Sequence, residues 1–270
     1  MQNETIVLSS IDPEKSVETI SKFINNIIIQ SHSDGLVVGL SGGIDSSVVA
    51  YISARAVNDD NILGLIMPSK TTPTEDVEDA KLVAENLGIK KKVINIDNVL
   101  NQFLKLNIHS NSDKEIKTAQ ANLKARLRMM ILYYHANSMN RLVLGTGNKS
   151  ELKVGYFTKY GDGGVDLLPL GDLYKTDVQK IAKYLEIPEN IINKPPSAGL
   201  WHGQTDEEEM GISYLLLDKI LHLLLDQNLN VDRVADELEI SEKEVLRIKS
   251  MMAAAEHKLV PPPIPEIRRR

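Results

Sequence analysis

The residues best suited to chemistry lie together in one short stretch, between an apolar run and a helical pattern. The stretch reads Gly39, Leu40, Ser41, Gly42, Gly43, Ile44, Asp45, Ser46 and Ser47. Paired glycines allow the main chain to approach an anion closely. The N–H groups that open the following helix then point at that anion, with about half a positive charge behind them. The stretch therefore predicts a phosphate-binding loop in which the serine hydroxyls are further donors.

Asp45 is unusual in a phosphate-binding loop, because a carboxylate repels phosphate. Mg²⁺ resolves the conflict, since it bridges carboxylate and phosphate oxygens. The loop lacks the Gly-Lys-Ser/Thr ending of a Walker motif and the Gly-x-Gly-x-x-Gly of a dinucleotide fingerprint. The plainer alternative is a structural strand-to-helix turn rich in glycine. The glycines, hydroxyls and carboxylate in this context favour the phosphate site.

Four short apolar runs predict the strands of a sheet. They cover residues 36–40, 62–66, 93–96 and 142–144. Runs of this kind are typical of strands that are buried on both faces. Helical patterns separate them, and a further helix precedes them, starting after Asp12 as cap with Pro13 in its first turn. These helices are predicted over residues 13–30, 46–57, 75–87 and 113–137.

Strands that alternate with helices predict an α/β fold, a doubly wound parallel sheet with helices on both faces. In such sheets ligands bind beyond the carboxyl ends of the strands. That rule points to the segments that begin at Ser41, Pro68 and Gly145. Residues 155–171 and 195–205 are predicted loops, and the chain is helical again from Asp206. No repeat or long linker divides the sequence, so residues 1–270 are expected to form one domain.

Composition excludes several functional classes. The sequence has no cysteine, which rules out disulfides, thiolate metal sites and cysteine nucleophiles. Its 31 basic and 37 acidic residues give a net charge of -6, so no basic surplus is available for a nucleic-acid backbone. No apolar run approaches a membrane span, and no signal-peptide pattern follows Met1. The expected location is the cytoplasm, without a membrane or nucleic-acid partner.

The Ser-Gly-Gly-x-Asp-Ser pattern from Ser41 to Ser46 resembles the loop of the ATP pyrophosphatases, which split ATP into AMP and pyrophosphate. This resemblance implies activation of an oxygen atom by transfer of AMP, but it does not identify the substrate. GMP synthetases, asparagine synthetases, argininosuccinate synthetases and tRNA-thiolating enzymes carry versions of the loop. An enzyme acting on another carboxylate or on tRNA is therefore one rival interpretation. A nucleotide-binding module without catalysis is another.

Four further stretches resemble the ammonia-dependent NAD synthetases and together span nearly the whole chain. They lie within residues 67–80, 122–128, 145–166 and 195–207. The third is the most specific, because it is long and rich in residues that no core requires. The resemblance implies an adenine nucleotide alpha hydrolase-like, Rossmann-like fold and a homodimer.

The resemblance also implies a reaction in two steps. The nicotinate carboxylate of deamido-NAD attacks the α-phosphate of ATP, releasing pyrophosphate and leaving an acyl adenylate. Ammonia then displaces AMP and gives the amide. Some relatives take nitrogen from glutamine by means of an extra domain with a cysteine nucleophile. This sequence has neither the length for that domain nor a cysteine, so free ammonia, or ammonia from a separate partner, is expected.

Matching motif positions carry the family's site residues onto this sequence. Asp45 and Glu151 are implied to hold Mg²⁺. The implied ATP contacts are Gly39, Leu40, Ser41, Gly42, Gly43, Ile44, Asp45, Ser46, Thr146, Lys175 and Ser197, and the implied deamido-NAD contacts are Arg126, Lys159, Asp166, His257 and Lys258. Asp45, Lys175 and Asp166 are expected to be catalytic, although Asp166 has two possible roles, orienting a ribose or taking a proton from ammonium. Ser197 stands where the family often has threonine, a change that keeps the hydroxyl.

The helix predicted over residues 113–137 has an apolar stripe and a basic face. The stripe is formed by Ile116, Leu123, Leu127, Met130 and Tyr134. It is expected to face the core or a subunit interface. The basic residues are Lys124, Arg126 and Arg128. Spacing alone favours a solvated face for them, and the family resemblance reverses that interpretation for Arg126 only.

Overall fold

The computed structural model describes residues 11–106, 112–197, 199, 203 and 205–267. Four parallel strands form one sheet in the order β3-β2-β1-β4. The strands are β1 (Gly35–Gly39), β2 (Ile62–Ile66), β3 (Lys90–Val93) and β4 (Arg141–Leu144). The chain leaves β1 towards β2 on one side and later crosses to β4 on the other side. The carboxyl ends of β1 and β4 therefore flank the crevice at which such sheets bind ligands.

Helices separate the strands and follow the sheet. The first five are α1 (Pro13–Ser31), α2 (Ile44–Ala56), α3 (Thr74–Asn86), α4 (Asp97–Leu104) and α5 (Asp113–Ser138). After β4 come α6 (Lys149–Val154), α7 (Lys175–Tyr184), α8 (Glu189–Ile192), α9 (Asp206–Met210), α10 (Tyr214–Leu221), α11 (Val231–Leu238) and α12 (Glu242–Leu259). A 3₁₀ turn spans Asp59–Asn61, and a π-helical segment spans His222–Asp226. In the described ranges, no helix has the length and apolar character needed to cross a membrane.

Successive side chains of β1 point to opposite faces of the sheet and so belong to different cores. Leu36 and Val38 pack with side chains of α1, α2, α3 and α7 on one face. Val37 belongs to a second cluster with Leu132 and Ala136 of α5 on the other face. A third apolar cluster joins α10, α11 and α12. The predicted parallel sheet covered by helices on both faces is confirmed.

The sequence placed four helices within two residues of their observed ends. Helix α1 begins as predicted, because the Asp12 carboxylate accepts a hydrogen bond from the Lys15 N–H at 3.2 Å and Pro13 occupies the first turn. The prediction of the third strand is wrong, since β3 covers residues 90–93 rather than 93–96.

The search for apolar runs missed strand β3, because β3 is an exposed edge strand and not a buried one. Its lysines at 90–92 face solvent, and the ammonium group of Lys90 lies 2.9 Å from a carboxylate oxygen of Asp60. Lysines on an edge discourage pairing with the sheet of another molecule. The apolar residues that follow do approach β2, since the Ile96 N–H donates to the Pro68 carbonyl at 3.0 Å.

Helix α5 turns part of its basic face inwards. Lys124 is buried and Arg128 is half-buried, whereas Arg126 is exposed. The solvated-face interpretation is therefore wrong for Lys124 and Arg128. Lys124 Nζ donates to the Thr71 hydroxyl at 3.0 Å, and Arg128 Nε donates to the Met67 carbonyl at 3.1 Å. Both cations reach the segment that leaves β2, which spacing along one helix does not reveal.

The apolar stripe of α5 is only partly buried. Leu127 is 3% exposed, but Met130 and Tyr134 are 55% and 74% exposed. The stripe is therefore a core face near Leu127 and an open apolar surface towards the end of the helix.

Candidate active site

A cavity of about 910 Å³ opens at the carboxyl ends of β1, β2 and β4. Its wall includes residues from all three segments indicated by the strand order, those that begin at Ser41, Pro68 and Gly145. The inner face of α5 and the first residue of α7 form other parts of the wall. The volume lies in the range of small-molecule sites.

The predicted phosphate loop forms part of this wall and is braced from within. The Ser41 N–H donates to the Ser46 hydroxyl at 3.2 Å, and that hydroxyl donates to the Gly43 carbonyl at 3.0 Å. Helix α2 begins at Ile44 without a side-chain cap. Its first N–H groups are therefore open to an anion at the positive end of the helix dipole.

Gly42 fixes the path of the loop. Its φ is +78°, and a Cβ at this position would lie 2.1 Å from the carbonyl oxygen of Asp76. Only glycine fits both the left-handed conformation and this close approach. The loop is thus held against the first turn of α3.

Lys175 is buried between two carboxylates beside the loop. Its ammonium group donates to Asp45 Oδ2 and lies 3.7 Å from Glu151 Oε1. Burial alone would lower the pKa of Lys175, but the charges of Asp45 and Glu151 outweigh it, and the pKa is raised. Lys175 is therefore a stable cation in the cavity wall.

Asn148 joins the same two carboxylates from the other side. Its side-chain amide donates to Asp45 Oδ1 at 2.9 Å, and its main-chain N–H donates to Glu151 Oε2 at 3.2 Å. Burial and the nearby charge of Asp45 raise the pKa of Glu151 to about 8. Asn148 was not among the predicted site residues, although its Asn-x-x-Glu spacing with Glu151 is the signal of a capping box, which the structure contains.

Asp206 is a third carboxylate of the cavity, and its side chain is buried. It accepts hydrogen bonds from the Tyr156 hydroxyl at 3.0 Å and the Tyr214 hydroxyl at 3.1 Å. The Tyr214 hydroxyl also lies 3.3 Å from Glu151 Oε1. Burial raises the pKa of Asp206. The sequence predicted only that the chain is helical from this position, because nothing in the local pattern reveals that the side chain turns inwards.

Thr146 and Ser197 also line the cavity. The residues expected to contact ATP therefore lie around one space, apart from Gly42, which is not part of the cavity wall. The Ser197 hydroxyl accepts a hydrogen bond from the Gly199 N–H at 3.1 Å.

Four of the residues expected to bind deamido-NAD form a connected group beside the cavity. Arg126 Nη2 donates to the Lys159 carbonyl at 3.3 Å, and Lys159 Nζ donates to the His257 carbonyl. Lys258 Nζ donates to the Gly155 carbonyl at 2.7 Å. Gly155 lines the cavity, whereas Arg126, Lys159, His257 and Lys258 do not. Their group therefore adjoins the cavity through the segment that starts at Gly155.

Asp166 stands apart from that group. Its carboxylate accepts hydrogen bonds from the Tyr133 hydroxyl at 3.0 Å and the Val143 N–H at 2.7 Å. These contacts hold it at the end of β4, outside the cavity wall. The structure therefore does not bring Asp166 together with Asp45 and Lys175.

Helix α10 anchors the elements that carry Glu151 and Lys175. The buried carboxylate of Asp218 accepts hydrogen bonds from the Ser150 hydroxyl and from the Thr176 N–H, the latter at 2.9 Å. The Ser150 hydroxyl in turn accepts from the Lys175 N–H at 3.0 Å. One aspartate in an apolar helix thus fixes the neighbours of both charged groups.

Comparison with known proteins identifies the family of the chain that forms this cavity. Residues 16–262 match the family model described as NAD synthase. The chain belongs to the NAD synthase family. Within that family, it is 52% identical to an NH(3)-dependent NAD(+) synthetase of Archaeoglobus fulgidus over 256 residues, which cover 94% of this chain and 98% of that protein.

Solved structures of the NAD synthase fold agree with this assignment. An NMN synthetase from Francisella tularensis is 35% identical with a TM-score of 0.83, covering 96% of this chain and 100% of the other. An NH3-dependent NAD synthetase from Campylobacter jejuni, in complex with a nitrate ion, is 32% identical with a TM-score of 0.79, covering 95% and 100%. The resemblance, the ligase class and the adenine nucleotide alpha hydrolase-like fold inferred from the motifs are confirmed.

Proposed function

We propose that this chain catalyses the ATP-dependent amidation of deamido-NAD with ammonia, giving NAD, AMP and pyrophosphate through an adenylated intermediate. One observation carries the proposal. The glycine-rich loop, the Lys175 ammonium group and the carboxylates of Asp45 and Glu151 border a single cavity in a chain 52% identical to an NH(3)-dependent NAD(+) synthetase.

The loop and Lys175 are suited to the adenylation step. The carboxylate of deamido-NAD attacks the α-phosphorus of ATP, the bond to the bridging oxygen breaks, and pyrophosphate leaves with the electron pair. Negative charge therefore grows on the leaving pyrophosphate. The N–H groups at the start of α2 and the fixed cation Lys175 stabilise that charge without rearrangement, which is the main source of rate in preorganised sites.

Asp45 and Glu151 fit a magnesium ion. Asp45 and Glu151 share the ammonium group of Lys175, and the Asp206 carboxylate acts on the same group, so this part of the cavity favours a further cation. Over the described ranges, no set of three or more acidic or histidine side chains forms a complete metal site. Mg²⁺ in nucleotide enzymes usually takes only one or two carboxylates and fills its shell with phosphate oxygens and water. When bound, it would neutralise charge on the triphosphate.

The outer group of Arg126, Lys159, His257 and Lys258 is assigned to deamido-NAD. The positive charges of its arginine and two lysines match the pyrophosphate and carboxylate of that substrate. Asp166 is assigned to the same substrate. Its two accepted hydrogen bonds hold the carboxylate in place, which suits a fixed acceptor for a ribose hydroxyl better than a mobile proton carrier.

A homodimer is part of the proposal. Met130 and Tyr134 present an open apolar surface on α5, the helix that also carries Arg126. A second copy of the chain that covers this surface would lie next to the outer group.

A second acid substrate has a specific observation in its favour. The chain is 35% identical to a protein described as an NMN synthetase, at a TM-score of 0.83. Nicotinate mononucleotide is the acid form of that product and would need the same adenylation chemistry. Identity of 52% to an NH(3)-dependent NAD(+) synthetase favours deamido-NAD.

Mass spectrometry of the products tests the function and separates the two substrates. Purified protein is incubated with ATP, Mg²⁺, ammonium and either deamido-NAD or nicotinate mononucleotide. We expect NAD, AMP and pyrophosphate in equal amounts, and faster amidation of deamido-NAD than of the mononucleotide. Glutamine in place of ammonium should give no amide. ADP and phosphate as products, or amidation of neither acid, would contradict the proposal.

Asp45→Asn tests the cation site directly. The variant keeps the size of the side chain but removes its charge, so turnover should fall by about 10² or more. Asp172→Asn is the control, because the Asp172 side chain is almost fully exposed and stands outside the cavity. Steady-state rates at saturating Mg²⁺ measure both, and near-normal turnover of the Asp45 variant would remove this carboxylate from the mechanism.

A further inference from the structure

Arg128 is a cation in the cavity wall that none of the assigned roles uses. It stands on the inner face of α5, between Lys124 one turn earlier and Leu132 one turn later. Met129 and Leu132 make the adjoining wall apolar. A guanidinium group remains charged at any physiological pH, even where burial lowers its pKa, as it does here.

Arg128 uses only part of its hydrogen-bonding capacity. Its Nε donates to the Met67 carbonyl at 3.1 Å. Within the part of the chain that the structure describes, its two terminal nitrogens have no hydrogen bond and no ion pair. Lys175 in the same cavity contrasts with it, since that cation has carboxylates on two sides. The carboxylates of Asp162 and Asp97 attract the Arg128 charge from beyond ion-pair distance, so the two terminal nitrogens can still take a bound anion.

We propose that Arg128 binds an anionic group of a substrate, a carboxylate or a phosphate, through its two terminal nitrogens. The planar fork of arginine matches two oxygens of either group. Both substrates carry phosphates, and deamido-NAD also carries the carboxylate that reacts. The inference rests on the proposed function, because it requires such a substrate in this cavity.

A structural role in holding the segment after β2 does not by itself explain why an arginine stands at position 128. That segment is already held by Lys124, which donates to the Thr71 hydroxyl at 3.0 Å. The Ser69 N–H also donates to the Thr72 hydroxyl at 3.0 Å, and the Thr72 N–H donates back to the Ser69 carbonyl at 2.9 Å. A single bond to the Met67 carbonyl needs neither a charge nor a fork.

Arg141 offers a matched control. It too is partly buried, burial also lowers its pKa, and it donates from Nη2 to a main-chain carbonyl, that of Asp60, at 3.0 Å. It begins β4, at the end of the sheet opposite the cavity, and does not line that cavity. Replacing Arg141 therefore removes a comparable structural contribution without touching the proposed site.

The test compares Arg128→Met with Arg141→Met by calorimetric titration of ATP, deamido-NAD and NAD, each with Mg²⁺. Loss of a charged hydrogen bond should weaken at least one ligand by about tenfold or more in the Arg128 variant relative to the control. Weaker deamido-NAD with unchanged NAD identifies the carboxylate, because NAD has a neutral amide there. Equal weakening of both identifies a dinucleotide phosphate, and weakening of ATP alone identifies a triphosphate oxygen.

Affinities of the two variants within about threefold of each other for all three ligands would overturn the inference. If Arg128→Met does not fold, Arg128→Lys is titrated instead, since it keeps the charge and loses the fork, and the same tenfold criterion applies. The amidation assay on the unmodified protein separates the two failures. Normal NAD formation with unaffected binding in the Arg128 variant rejects only the role of Arg128, whereas absence of NAD formation rejects the proposed function.

Discussion

At the scale of single residues, Lys175 and its carboxylates depend on one another. A buried ammonium group is unfavourable unless it is paired, and Asp45 and Glu151 provide the pairing. In return, the Lys175 charge opposes the rise that burial and Asp45 cause in the pKa of Glu151. The ion pairs therefore stabilise charged side chains in the cavity wall, a role that water would otherwise have.

Lys175→Met should therefore harm stability as well as activity. Removing the buried cation leaves two partly buried carboxylates without compensation, which should lower the free energy of unfolding by about 3 kcal/mol. Turnover should fall by about 10² or more, because the charge beside the leaving group is lost. Urea denaturation and steady-state rates measure the two effects.

The double variant Asp45→Asn with Lys175→Met separates those effects. It removes both charges of the pair, so we expect most of the stability to return while activity stays lost. Lys180→Met is the control, because Lys180 pairs with Asp177 at 3.0 Å but is 40% exposed. A Lys175 variant as stable as the control would contradict the account of the buried pair.

Motifs identified the charged centre of this site but not the groups that hold it. Asp45, Glu151 and Lys175 were predicted from the family resemblance, and the structure brings them together. The burial of Asp206 and the inward turn of Arg128 depend on how distant segments pack, and that information is absent from local spacing. Spacing favoured solvent for Arg128 for the same reason.

At the scale of elements, the phosphate loop is shaped by its contact with α3. Gly42 lies directly against the Asp76 carbonyl, so the loop has little freedom to move. A fixed loop can present the N–H groups of α2 to phosphate before ATP arrives. The packing of the loop against α3 thus positions the phosphate-binding N–H groups at the carboxyl end of β1.

Gly42→Ala should disrupt that contact. A Cβ would lie 2.1 Å from the Asp76 oxygen, which forces the loop or α3 to shift, and we expect turnover to fall at least about tenfold. Gly211→Ala is the control, since Gly211 has a φ of +69° but its nearest neighbour is 3.9 Å away. The control should lose only the 1–2 kcal/mol or so of the left-handed conformation. Equal activity of the two variants would show that the close approach has no role in catalysis.

The observed ends of helices and strands agree with the predicted ends where buried residues recur at a regular spacing. Helices α1 and α5 and strand β2 have strong periodic or apolar patterns, and their predicted ends agree closely with the structure. Strand β3 has neither, because an edge strand gains its place from main-chain pairing with β2 and not from apolar side chains. Pairing between distant segments leaves no local mark in the sequence.

At the scale of the whole molecule, the open apolar surface of α5 is expected to be covered by a second copy of the chain. Met130 and Tyr134 are 55% and 74% exposed in the single chain. Sedimentation should give twice the mass of one chain. Changing both residues to glutamate should give monomers, because a buried charge without a partner opposes association.

Ile29 and Leu215 provide the control for this prediction. They are 62% and 55% exposed and belong to α1 and α10 instead of α5. Replacing both with glutamate should leave the mass unchanged. Monomers from the unmodified chain, or dimers that survive glutamate at both α5 positions, would contradict the proposed interface.

The Asp218 contacts set a limit on how this chain can be divided or redesigned. A fragment that stopped before α10 would retain the sheet and the glycine-rich loop, yet the Thr176 N–H and the Ser150 hydroxyl would lose their acceptor. The C-terminal helices are therefore not an accessory that can be exchanged freely. A chimera that borrowed them from another protein would need an acidic side chain at position 218 to keep Glu151 and Lys175 aligned.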